Sequence, residues 1–145
     1  MTTMTSFIPS PRSPISEVSR RIGGLLEDQR GPESWWAQLA SDLDELARRL
    51  MADVDEAWRA MSDQIMRDAP HMTARLRRLD KEGQALLSDL LRVRVLTGEA
   101  AGDPDRSVQV KKAIRALLSR IRHHEEREIL TVYDAYQTDI GGESA

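Results

Sequence analysis

The sequence predicts an all-α protein, an antiparallel four-helix bundle. Three observations lead there. Apolar residues recur at spacings of three and four over four separate stretches, one buried face per helix. The joints between those stretches are short and carry Gly or Pro. Aromatics make up only 4% of the 145 residues, so the core must come from Leu, Ile, Val, Met and Ala, which suits helices better than strands.

Residues 1–14 are rich in Thr, Ser and Pro and read as a disordered N-terminal arm before a single domain over 15–142. Ile15, Val18, Ile22 and Leu25 predict the first helix. Gly23 and Gly24 weaken it by roughly 1 kcal/mol each relative to Ala. Arg30-Gly31-Pro32 ends it and opens the next. The second helix reads from about Glu33 to Asp68, with Trp36, Leu39, Leu43, Leu46 and Leu50 in one stripe. Past Leu50 the stripe splits. One track passes through Val54, Trp58, Met61 and Ile65, and the strict heptad track meets Asp53 and Ala57. Asp53 is therefore expected at the edge of the seam.

Ala69-Pro70 marks the next boundary. The third helix runs through Met72, Leu76, Leu79, Gly83, Leu86, Leu90, Val93 and Leu96, with Gly83 its only misfit and Gly98 its expected stop. In the turn that follows, Asp103 is the expected N-cap and Pro104 the first helical residue. The last helix is expected from about Asp105 to Asp139, ending at Ile140-Gly141-Gly142.

Composition narrows the function. The chain has no cysteine, which excludes a disulfide framework, a zinc ribbon and a thiol nucleophile. A net charge of −3 with interleaved acids and bases argues against a nucleic-acid partner. No apolar stretch reaches bilayer length, and the first residues lack the basic start and apolar core of a secretory signal. The expectation is a cytoplasmic protein with no membrane partner. No nucleophile stands beside a base and no Gly-rich loop is placed to cradle phosphate, so enzymatic activity is not expected.

The most informative feature lies near the C-terminus. Val110, Ile114, Leu117 and Ile121 form a seam, and its next two positions are His124 and Glu128. Helical phase points both into the interior, where a polar group is costly unless it is paired or holds a ligand. At this spacing a His and a carboxylate can share one metal inside a bundle. The plainer reading is a hydrogen bond within the helix, worth a few tenths of a kcal/mol when exposed. Gly83 reads either as a space kept for a ligand or as a close packing contact filled by a neighbour such as Trp58 or Met61. Asp53 reads as a third oxygen ligand or as an acid that turns outward to an Arg. His71 is expected at the surface, and His123 points about a third of a turn away from His124. Of Trp35 and Trp36, one is expected to anchor the core and the other its rim.

Three stretches carry a family resemblance: LARRLMADVDEA, DAPHMTARLRRLDKEGQALL and RIRHHEEREILTVYDAYQTDIGG. In order and spacing they resemble the hemerythrin-like (HHE cation-binding) family over most of Trp35 to Gly142, the last stretch most specifically. The resemblance implies a four-helix bundle with a non-haem di-iron centre of His ligands and bridging carboxylates. His124 and Glu128 match the His and carboxylate of the family's last helix. Asp53 falls where the family has His, Ala57 where it has the bridging Glu, and Gly83 where it has another His. The early His expected near Gln29 or Arg30 is missing, and Glu82 matches the acid beside the lost His. The implied protein is a metal-binding or sensing module with a reduced or lost di-iron site, its metal residues being His124, Glu128 and Asp53. The cofactor is then iron or zinc in a partial site, or none. The alternative is a metal-free bundle that binds a protein partner or forms a homodimer through its long helix. A further option is an apolar ligand pocket beside Gly83 and Ala57.

Overall fold

The computed structural model describes residues 14–27 and 32–144, and the side chains within 34–137 of the latter span. The arm over 1–13 and the break at Arg30-Gly31 lie outside the described residues, and Pro14 already belongs to a helix. Helix α1, Pro14–Leu26, buries Ile15, Val18, Ile22, Leu25 and Leu26, and carries Gly23 and Gly24 within its last turns.

A continuous rod follows: α2 (Pro32–Ala52), a π-helical segment (Asp53–Ala57) and α3 (Trp58–Asp68). Backbone angles stay right-handed and helical at both junctions. The wide turn has a cause in the sequence. Leu46, Leu50, Val54, Trp58 and Ser62 are all buried, at four successive steps of four residues. Each such step overshoots a full α-helical turn by about 40°, so an unbroken α-helix would carry this row off the core. The π turn, with more residues per turn, absorbs the drift. Trp35, rather than Trp36, heads the seam: it is 5% exposed and its indole N–H donates to the Leu25 carbonyl at 2.7 Å. Trp36 stands at the rim, edge-on to Trp35 with ring centroids 4.7 Å apart.

After a 3-10 turn at Pro70–Met72, α4 spans Thr73–Ala100. It passes through Gly98, the expected stop. The left-handed residue that ends the run is Gly102, with φ of 83°. The buried row finishes on Val93, Thr97 and Ala100 while Leu96 is exposed, because the Thr97 hydroxyl satisfies itself on the Val93 carbonyl at 2.8 Å. Asp103 caps α5 (Pro104–Ser144), its Oδ1 accepting the Asp105 N–H at 3.0 Å. Helix α5 continues through the expected stop at Ile140-Gly141-Gly142.

These elements form an all-helical bundle. α1 packs on α2 and on α5, α2 on α4, and α4 on α5, which closes a ring around one interior. There is no strand among the described residues, and no described helix is long and apolar enough to cross a membrane. The core comes in two apolar parts. One includes Leu39, Leu43, Leu46, Leu50, Val54, Leu86, Leu90, Ile114 and Ile121. The other is built from Trp58, Ile65, Met72, Leu76, Leu79, Val132 and Ala135. The sequence intervals between them hold Gly83, His124 and Glu128, with Asp53 just before Val54 at the lower edge of the first part, and there the candidate functional residues lie.

Candidate functional site

Helical phase delivers the expected pair to the interior. His124 is 1% exposed and Glu128 9% exposed. Gly83 is buried opposite, while His71 and His123 face solvent. The space at Gly83 is already filled. A Cβ there would stand 3.1 Å from Val54 Cγ2 and 3.4 Å from His124 Nε2. Gly83 is thus a close packing contact for the imidazole. Of the optional pocket beside Gly83 and Ala57, the Gly83 side is filled, and the neighbours there are Val54 and His124 rather than Trp58 or Met61.

A chain of polar side chains crosses the bundle from α4 to the π segment. On the α4 side Arg127 donates twice to Glu82 Oε1, at 3.1 and 2.6 Å. Burial works against the Glu82 charge, but the bonds from Arg127 and His124 outweigh it and hold the carboxyl below its usual range. Glu82 is therefore an acceptor. His124 Nδ1, 2.6 Å from Glu82 Oε1, must carry its hydrogen. In the neutral ring Nε2 is left with the lone pair, 3.7 Å from Glu128 Oε2. That separation is beyond a hydrogen bond, so the expected bond within the helix is replaced by one between helices, to Glu82.

At the far end Glu128 meets Asp53, which the π turn sets on the edge of the seam. Burial pushes the Glu128 carboxyl up to about 9, reinforced by the charge and hydrogen bond of Asp53 and by the charges of Glu125 and Glu82. Burial also raises Asp53, against a hydrogen bond from Glu128 and the charge of His124. The pair holds a proton at neutral pH, with Glu128 as donor and Asp53 as acceptor. Apart from that shared proton, Glu128 Oε2 and Asp53 Oδ2 have no hydrogen-bond partner.

The three expected metal residues thus converge on one region, with Glu82 orienting the imidazole. An imidazole whose other nitrogen donates to a carboxylate is the arrangement found behind metal-bound histidines. The donor set nevertheless does not fit a di-iron centre. Two irons need bridging carboxylates and several nitrogens, and Ala57 and Gly83 supply none. Among the described residues, no group of three or more His, Asp or Glu side chains stands ready to hold a metal ion. Asp53 and Glu128 are turned to each other instead.

Beside the carboxyl pair a cleft of about 780 Å³ opens between α1, the π segment and α5. Asp53, Ala57, Trp58 and Glu128 form its inner side, and Ser19 and Gly23 of α1 line it from across. Ala57 opens onto this cleft. Sequence reasoning missed the roles of Glu82 and Arg127. The spacing held a signal, since Arg127 follows His124 by three and shares its side of α5. No family model, no curated protein and no solved structure matches the chain.

Proposed function

We propose that this protein is a hemerythrin-like antiparallel bundle that works as a metal-binding or sensing module, its di-iron centre reduced to a site for a single divalent ion. Iron is the first candidate and zinc the second. His124, Glu128 and Asp53 would hold the ion, with waters completing the shell. One observation carries this reading: Glu82 fixes Nδ1–H of a fully buried imidazole, so that its free nitrogen lies 3.7 Å from Glu128 Oε2, in a carboxyl pair whose buried oxygens have no partner beyond the proton they share. Such an ion would act as a bound charge that the bundle senses; oxygen carriage or oxidase chemistry of the two-iron kind has no ligand set here. Metal uptake would have to displace the proton shared by Asp53 and Glu128, so affinity should rise with pH. The test is elemental analysis and an optical spectrum of protein purified from iron-supplemented cells, followed by equilibrium dialysis against Fe(II) and Zn(II). Retained metal that is lost in His124→Ala supports the proposal. Protein that stays empty and takes up neither ion overturns it.

The rival reading is a metal-free bundle that binds a protein partner or a second copy of itself. It draws support from the carboxyl pair, which satisfies itself without an ion. Under that reading His124→Leu keeps the melting temperature in metal-free buffer, since an apolar group replaces a buried polar one.

A further inference from the structure

We propose that the cleft between α1, the π segment and α5 is a binding site for a small organic cation, an ammonium group carried on an apolar body. The volume, about 780 Å³, is that of a small-molecule site. The more telling observation is where the unpartnered polar atoms lie. Among the described residues five buried side-chain atoms lack a hydrogen-bond partner. Four of them, Ser19 Oγ, Asp53 Oδ2, Trp58 Nε1 and Glu128 Oε2, belong to residues that line this one cleft. Trp58 is 5% exposed and Glu128 9%, so both are sealed from the outside except through it. Buried orphans are rare in folded proteins. Trp58 Nε1 and Ser19 Oγ have no partner, and the two carboxyl oxygens have only the proton they share, so a group entering this one opening would complete the bonding.

Charge selects the ligand's sign. Along α5 the cleft extends from Arg115 to Ile129, about 20 Å of helix at 1.5 Å per residue. Its arginines on α5, Arg115 and Arg122, lie toward one end, and Glu125, Glu126 and Glu128 toward the other, while α1 adds Arg20 and Glu27. Glu128 Oε2 belongs to the acidic end of α5, and Asp53 is paired with Glu128 there. The charged groups acting on Glu128 are Asp53, Glu125 and Glu82, acids throughout. An anionic head would be repelled there. An ammonium has three donors, enough to reach Asp53 Oδ2 and Glu128 Oε2 together. The Trp58 ring, Leu26, Leu118 and Ile129 offer the apolar wall for its body. Trp58 Nε1–H and Ser19 Oγ–H would remain for an oxygen on the same molecule.

This site goes beyond the metal reading and is tested apart from it, in EDTA with metal-free protein. The probes are 2-phenylethylammonium and 3-phenylpropionate, similar in size and opposite in charge. Calorimetry follows binding, and the three indole N–H resonances report where it occurs. The amine should saturate below about 1 mM, bind at least about tenfold tighter than the acid, and move the Trp58 indole signal. Two variants fill the cleft from opposite walls. Ala57→Phe acts at an exposed position, and Gly23→Leu acts where a Cβ meets nothing within 4 Å. Each should weaken the amine at least about tenfold while the melting temperature holds. Equal binding of the acid, no saturation by about 10 mM, or undiminished binding by both variants would overturn the proposal. Loss of metal binding in His124→Ala with amine binding intact would support the proposal, since the amine needs the shared carboxyls but not the imidazole.

Discussion

Replacing Glu128 with Gln should remove most of the pH dependence of stability between mildly acidic and mildly alkaline conditions. In the folded protein burial and Asp53 raise the Glu128 carboxyl to about 9, against an ordinary value of 4.5. A carboxyl raised on folding binds its proton more tightly in the native state. Its contribution is therefore complete below the unfolded value and is lost as pH climbs toward the folded one. One group in that window costs about 1.4 kcal/mol per pH unit, so from about pH 5.5 to 7.5 the wild type should lose roughly 3 kcal/mol. Glu82, shifted the other way, loses its contribution only on the acid side of this window. Gln keeps the shape and can still donate to Asp53, but does not titrate. The assay is urea unfolding at several pH values in EDTA, wild type beside Glu128→Gln, with the difference between the two curves as the readout. Groups remote from the pair cancel in it, and what remains is the titration of the Asp53–Glu128 pair. Parallel curves would show that Glu128 is an ordinary ionised acid and that the shared proton does not exist.

Three further outcomes are expected. Gly23→Ala and Gly24→Ala should each raise stability by up to about 1 kcal/mol by thermal unfolding, since neither Cβ meets anything within 4 Å and neither backbone needs a positive φ; a lower melting temperature would show that the helix bends there. Gly83→Leu should cost about 1–3 kcal/mol by overpacking Val54 and His124. Unchanged stability would restore the idea of a void at that position. Glu82→Ala should destabilise more than Arg127→Ala in chemical unfolding, because it strands the buried Nδ1–H at about 1–3 kcal/mol, whereas the exposed guanidinium contributes about 1 kcal/mol or less. Equal effects would mean that the imidazole finds another partner.

Periodicity in the sequence located every helix because each buries a stripe, and a stripe leaves a spacing. It placed His124 and Glu128 inside by the same rule. It failed where geometry departs from 3.6 residues per turn. The split past Leu50 was visible, but a linear pattern does not say whether the core or the helix yields; here the helix yields, through the π turn. Gly98 looked like a stop because glycine often is one, yet the left-handed angle falls on Gly102. Trp36 fitted the stripe as well as Trp35 did, and the choice rests on a hydrogen bond to α1 that spacing cannot encode. Likewise Glu82 lay off the centre of its seam, and only its reach across to His124 makes it part of the site. The cleft arises from three elements meeting, so no single stretch announces it.

The π segment gives this chain a place that tolerates changes of length as well as of chemistry. Asp55, Glu56 and Ala57 are exposed, and substitutions there touch the core little. The wide turn holds about one residue more than an α-helical turn would. Deleting one of the three would return the rod to ordinary α-helical winding with its downstream phase nearly kept, since about four residues at about 100° each turn about as far as five in the wide turn. Trp58, Ser62 and Ile65 would still face the core. A deletion elsewhere in the rod, where no wide turn can yield, would instead swing everything downstream by about 100°.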